Sequence, residues 1–399
     1  MDTTTTLQTL LLVCLVSAAA PLLTTMVGGH VPQVVLLLVG GVLIGPQVLG
    51  IAEPDLVELI AEVGLGFLFL IAGYEVEPRL LREPVATRAF IAWGASLLLA
   101  LAVVGVLAAS GLVHAYVAVS LALTTTALGV LLPLLRDRGL LATPFGDAVL
   151  TTGAVGEMLP VLAVAIFLGT RGSFVALLSL AAIALLAVVL AAVPRLFAGT
   201  AVHRAFTQTQ DDTRQSAVRA TVLLLVLFLT IAAEFGLDAV LGAFLAGMVL
   251  RQLGPTDPAA FEHKLDAVGY GFFIPVFFVV SGMNLDIQSI ADNPLRLVLF
   301  FTLLLVVRGL PTVIAYRGMF PLRDRVELGV LAATALPLLV AITQIGLANG
   351  TMLPENAAAL VGAGALSVLL FPALALASHA RHAEVGEMAT SGGRNGDPP

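Results

Sequence analysis

A single carboxylate, Glu157, sits in the middle of an apolar run, GDAVLTTGAVGEMLPVLAVAIFLG over residues 146–169. The run is about the length that spans a bilayer. Counted from Ala148, Glu157 lies roughly 15 Å along a helix, near the midplane. A carboxylate there is costly unless it is protonated, paired or bound to a cation, so it marks a functional site by default; the alternative is a packing glutamate that keeps its proton for life. Thr124, Thr125 and Thr126 interrupt the preceding apolar run and bring hydroxyl and carbonyl oxygens to the same depth. Hard cations prefer oxygen ligands, so carboxylate, hydroxyl and carbonyl together suit a monovalent metal cation on Glu157. One carboxylate binds either a proton or a metal cation, and that competition is what cation–proton exchange requires. Gly153, Ala154 and Gly156 beside it let another segment approach closely. Arg308, inside LLLVVRGLP over 303–311, is the second buried charge. Its candidate partners are Glu157 or the C-terminal dipole ends of broken helices. A purely structural ion pair is the other reading, and the two are not exclusive.

The elements that must position these residues are membrane spans. The chain is 59% hydrophobic and 11% charged, with a mean hydropathy of +1.04, which excludes a soluble globular domain. The fold class is an all-α polytopic membrane protein. Thirteen spans are predicted, near 7–27, 31–49, 56–76, 89–109, 115–135, 148–169, 173–194, 217–233, 237–250, 267–282, 295–317, 328–347 and 354–378. The N-terminus lacks a basic region, so the first span reads as retained. The polar, Gly-rich segment 379–399 reads as a disordered tail. The single cysteine, Cys14, forms no internal disulfide, and no zinc pattern exists. No phosphate loop, HExxH or nucleophile elbow is present, so no enzyme and no cofactor are expected, and no basic patch supports nucleic-acid binding. The six histidines fall in loops or at ends, where solvation is the default. Glu75 lies near the end of the third span, where interfacial solvation is likewise the default.

Thirteen spans put nearly all basic residues on one side: Arg79, Arg82 and Arg88; Arg136 and Arg138; Arg195, Arg204, Arg214 and Arg219; Arg251 and Lys264; Arg317, Arg323 and Arg325; Arg381 and Arg394. Only Arg171 and Arg296 fall opposite, and Arg308 is within a span. The positive-inside rule then places the N-terminus outside and the C-terminus in the cytoplasm, in the cell membrane. Two spans invite a break near mid-membrane: LTTTALG over 123–129, and ALPLLVAITQ over 335–344 with Pro337 and Thr343. Each precedes the last span of a three-span unit, spans four to six and eleven to thirteen. The unit starts are seven spans apart, so the copies are inverted. An inverted repeat with broken helices at matching positions points to a secondary transporter site.

Several stretches resemble the monovalent cation:proton antiporters, in particular the Kef-type Na+(K+)/H+ exchanger branch: VPQVVLLLVGGVLIGP at 31–46, AEVGLGFLFLIAGYE at 61–75, LALTTTA at 121–127, LGAFLAG at 241–247 and FFVVSGMNLD at 277–286. The resemblance implies an inverted-repeat fold of about thirteen helices with crossing broken helices. It implies a six-helix core (89–169 and 295–378), a dimerisation panel (7–76 and 217–282), a linker helix (173–194) and elevator-type alternating access. The ion-binding carboxylate falls on Glu157 and its basic partner on Arg308. The implied partners are Na+ or K+, protons, the lipid membrane and a second copy of the chain. Relatives usually carry Asp preceded by Asp, Asn or Gln where this chain has Gly156-Glu157. With one carboxylate the carrier holds the same charge loaded with a proton or with a cation, so exchange is expected to be electroneutral. The competing expectations are a proton-coupled carrier of an organic ion on the same fold, and a transport-inactive sensor.

Overall fold

Inside a bilayer each backbone polar group must be satisfied within its own segment, so long apolar runs fold as helices. The computed structural model describes residues 3–28, 31–75, 84–168, 216–234, 239–253 and 258–392. The described helices are α1 (Thr3–Met26), α2 (Gln33–Ile44), α3 (Glu58–Glu75), α4 (Pro84–Ala109), α5 (Tyr116–Ala122), α6 (Leu128–Asp137) and α7 (Pro144–Phe167). After the next described residue come α8 (Ser216–Glu234), α9 (Ala239–Leu253), α10 (Pro258–Val268), α11 (Ile274–Met283), α12 (Ile287–Asp292) and α13 (Pro294–Leu304). The chain continues through α14 (Leu310–Ala315), α15 (Leu322–Ala332), α16 (Pro337–Ala348) and α17 (Pro354–Gly392). No strand occurs among the described residues. Six described helices are long and apolar enough to cross a membrane, or seven when the bent pair α15–α16 counts as one span. The expected linker at 173–194 lies outside the described residues. The last helix runs to Gly392, into the segment expected to be a disordered tail. Extending an existing helix through Ala, Arg, Glu and Met needs no new nucleus, which composition alone does not register.

Two spans are broken and two are widened, each for a local reason. α5 and α6 are separated by 123–127, the threonine stretch. α15 and α16 are separated by 333–336, because Pro337 opens α16 at its first turn and holds Leu336 out of helical geometry, at φ −152° and ψ −57°. The helices α10–α11 and α13–α14 are each joined by a π turn, Gly269–Phe273 and Leu305–Gly309. Each turn is followed two residues later by a proline, Pro275 and Pro311. A proline ring meets the carbonyl four residues back, and the extra residue in the turn relieves that clash.

Glycines set how closely the helices approach. A Cβ on Gly73 would land on the Phe244 carbonyl of α9, and one on Gly247 on the Leu70 carbonyl of α3. Gly41 of α2 and Gly282 of α11 meet the Val279 and Leu38 carbonyls in the same reciprocal way, and Gly64 of α3 faces the Phe273 carbonyl. Helices α2, α3, α9 and α11 are therefore in backbone contact, the small-residue packing that lipid-embedded helices rely on. On the other side of the molecule α4 packs on α7 and α14, and α17 packs on α13, α15 and α16. The two groups meet where α7 touches α9 and α17 touches α2. After α11 the chain turns through Asp286, which caps α12 by accepting from the Ser289 N–H (3.1 Å) and hydroxyl (2.6 Å). Those bonds hold its carboxyl below the ordinary carboxylate value. The cap is therefore in place above the ordinary carboxylate range and is lost only as pH falls through that lowered value.

Candidate ion-binding site

The two broken spans cross against α7. The Thr126 N–H donates to the Gly156 carbonyl of α7 (3.0 Å), and the Ala127 N–H donates to the Thr334 carbonyl in the other break (2.8 Å). The second break is tied to α17: the Ala335 N–H donates to the Ser367 hydroxyl (3.0 Å). Backbone groups freed by the breaks thus find protein partners, as they must where no water solvates them. The crossing leaves four half-helix ends close together. α5 and α15 end there with their C-termini; α6 and α16 start there with their N-termini.

Opposite charges occupy opposite kinds of end. Glu157 is 6% exposed, and its carboxylate accepts from the Leu128 N–H, the first residue of α6. Unpaired N–H groups and the positive end of the dipole favour an anion at that place. Arg308 is fully buried on the π turn. Its Nε donates to Thr126 Oγ1 (3.0 Å) and its Nη2 to the Thr152 carbonyl (3.0 Å). Thr126 in turn donates to the Ala332 carbonyl at the C-terminal end of α15 (2.7 Å). The cation therefore rests against the negative end of a half-helix. The described ion pairs are Arg251–Glu262, Arg296–Glu355 and Arg323–Glu327, and none joins Arg308 to Glu157. Of the two partners the sequence offered, the guanidinium bonds neither directly; it reaches the end of α15 through the Thr126 hydroxyl. The guanidinium fills the space over Gly156. Nη1 of Arg308 has no hydrogen-bond partner.

Gly156 has a specific role in this arrangement. A Cβ there would collide with Arg308 Nη2 and with the hydroxyl and Cβ of Thr126. The space that a side chain at position 156 would occupy is filled by the arginine. Gly156→Ala is accordingly expected to displace Arg308 and destabilise the protein by about 1–3 kcal/mol, the usual range for overpacking. A double-mutant cycle with Arg308→Lys, followed by thermal unfolding in detergent, checks this: the two changes should be strongly non-additive, and additivity would separate Gly156 from Arg308.

The other expected residues divide. The threonines are all buried at the first break. Thr124 and Thr125 donate to the Leu121 and Ala122 carbonyls of α5 (2.8 Å each), so their protons close the end of α5 while their oxygens keep free lone pairs. Pro337 is at the second break as expected. Thr343 is not: it lies inside α16 and donates to the Val340 carbonyl (2.7 Å). A threonine bonded back to its own helix does not open it, and the proline alone sets the break.

The sequence underplays one neighbour, Glu75, and gives no sign of two others. Glu75, expected to be solvated at the interface, is half-buried at the end of α3. The Tyr270 hydroxyl, on the π turn between α10 and α11, faces Gly129 in the first turn of α6. The signal for Glu75 was its place at the end of the recognisable stretch 61–75. Tyr270 left none, since π turns carry no sequence pattern. Thr152 was also missed. Its hydroxyl bonds the Tyr316 hydroxyl (2.7 Å) while its carbonyl holds Arg308.

The family model described as "Sodium/hydrogen exchanger, transmembrane" matches residues 11–376 of the chain. The chain belongs to the sodium/hydrogen exchanger family. Members of this family are transporters rather than enzymes. YjbQ of Bacillus subtilis is 27% identical over 337 residues, which cover 79% of this chain and 54% of that protein, so the chain spans about half the length of YjbQ. The Na(+)/H(+)-K(+) antiporter GerN of Bacillus cereus is 27% identical over 298 residues, covering 70% of this chain and 72% of GerN. A glutathione-regulated potassium-efflux system protein of Haemophilus influenzae is 29% identical, covering 64% of this chain and 42% of that protein. Among solved structures, the sodium proton antiporter MjNhaP1 of Methanocaldococcus jannaschii superposes with a TM-score of 0.62 at 16% identity, over 92% of this chain and 95% of that one. That likeness is one of fold.

Proposed function

We propose that this chain exchanges Na+ or K+ for protons across the cell membrane, with Glu157 as the shared binding site. The observation that carries the reading is the position of Glu157: one buried carboxylate at the N-terminal end of a half-helix, beside two helix breaks. Carboxylate, threonine and carbonyl oxygens there supply the ligands a desolvated monovalent cation needs. Glu75, half-buried at the end of α3, adds a second carboxylate on the arginine-rich side, which we take as cytoplasmic, with the N-terminus outside.

Movement follows from the two groups of helices. Helices α1–α3 and α8–α11, welded by glycines, serve as a fixed panel and as the face for a second copy. Helices α4–α7 and α13–α17 carry the crossing as one body past it, in an elevator-type stroke. The segment 173–194 links them. Arg308 keeps its charge against α15 throughout and does not neutralise Glu157. Protonated and cation-loaded Glu157 give the core the same charge, whereas the empty core exposes a bare carboxylate that resists crossing. One-for-one electroneutral exchange results. No observation favours an organic ion: the space beside Gly156 that would admit a bulky substrate is taken by the guanidinium.

The test is dequenching of a pH dye in everted vesicles with Na+, K+ and Li+ in turn. Competition at one site predicts that the half-saturating concentration of the transported cation falls about tenfold per unit rise in pH while protons still occupy the site. A cation affinity indifferent to pH would reject the shared site, and a steady current during exchange would reject electroneutrality.

A further inference from the structure

One polar contact joins a panel helix to a core helix far from Glu157. Gln344 of α16 donates its Nε2–H to the Ser281 hydroxyl of α11 (2.8 Å). Ser281 is buried, and its own proton is committed to the Phe277 carbonyl (2.7 Å), so its oxygen is oriented to accept. Its backbone is fixed within the panel, because the flanking Val279 and Gly282 make the glycine contacts with α2. Gln344 belongs to the other group: α16 starts at the crossing, packs on α5 and α7, and reaches Gln344 roughly 10 Å further out. The contact lies on the arginine-poor side. A small cavity of about 40 Å3 opens beside it, walled by Ser281, Asn284, Asp286, Thr343, Gln344 and Leu347. It is wide enough for a few waters and has polar groups to hold them.

We propose that Gln344 and Ser281 form the outer gate of the transport path: the bond seals the external mouth between α11 and α16 and must open before an ion reaches Glu157 from outside. The inference rests on the exchanger reading above, in which α16 moves relative to α11. A sliding interface between apolar helices has few ways to register where it stops. A single hydrogen bond made in one position and broken in the other supplies one, and the cavity is the vestibule just outside it. The bond shifts the balance between outer-closed and outer-open forms by about three- to tenfold, the size expected of one neutral hydrogen bond.

The experiment uses the full chain in vesicles, in a Cys14→Ser background with Ala341→Cys as reporter, which is buried on α16 inward of Gln344 and does not line the cavity. A charged, membrane-impermeant maleimide is added from the external side. Ser281→Ala and Gln344→Leu should each speed labelling by about three- to tenfold, and the double variant should label no faster than either, because the two side chains share one bond. Ser281→Thr keeps the hydroxyl and should label at the parent rate, which separates loss of the bond from loss of fold. Unchanged labelling in both single variants, or multiplying effects in the double, overturns the gate. Cation-driven proton movement is read in the same vesicles. Exchange present with labelling unchanged removes the gate alone; exchange absent in the parent removes the exchanger reading, while the labelling still reports the gate.

Discussion

Glu157→Gln is expected to bring cation-driven proton movement down to background while leaving the protein folded. Glutamine keeps the size of the side chain and an oxygen that accepts from the Leu128 N–H, so α6 keeps its partner. It removes the negative charge and the exchangeable proton together. Loss of even an outer partner of a metal site lowers affinity by about 10–100-fold, and loss of the anionic ligand itself is expected to reach or exceed the upper figure. Glutamine also avoids placing a charge in a buried site, so the yield of folded protein in detergent should equal that of the parent. Glu157→Asp keeps the charge but withdraws it by one methylene and should retain exchange with an altered preference among Na+, K+ and Li+. Proton movement that survives in Glu157→Gln and still depends on the cation would make the carboxylate structural.

The second large effect is expected at Arg308, and there it falls on stability as well as transport. Arg308→Ala removes two charge-assisted bonds, to Thr126 and to the Thr152 carbonyl, and empties the space over Gly156. Against this, the alanine variant no longer buries a charge that has no carboxylate partner, a relief that offsets part of the loss. Bonds to a charged group contribute about 1.5–3 kcal/mol each and the cavity adds to them, so a net loss of about 3 kcal/mol or more is expected. Thermal unfolding in detergent should show it as a clear fall in the transition temperature. Arg308→Met fills the space without the charge and should recover part of the stability but none of the exchange, because the end of α15 loses its counter-charge. Arg308→Ala with both the parent transition and parent exchange would show that the guanidinium is a bystander.

How much of this was legible follows from the range of each interaction. The spans, their breaks and the buried acid are local features. Span length and composition report helices that lie in lipid, and Pro337 and the threonines at 124–126 report where they open. Thr343 was misplaced because a threonine reads alike whether it bonds its own helix or opens it. Glu75 reads as solvated because an acid at a span end usually is, and only the packing of α3 half-buries it. The pairing of Arg308 was left open between a carboxylate and a helix end, and no local signal separates them.

The sequence by itself determined that the chain is an all-helical membrane protein with two interrupted spans and one carboxylate inside a long apolar run, because hydropathy, proline and a charge among apolar residues act over a few residues. The tertiary structure alone decided which groups meet. Arg308 reaches Thr126 across 182 residues, Gln344 reaches Ser281 across 63, and Gly156 is empty because a guanidinium from another helix needs its space. Such contacts are set by the crossing of packed helices, and their physics of shape, dipole and reach appears only when the helices are in place.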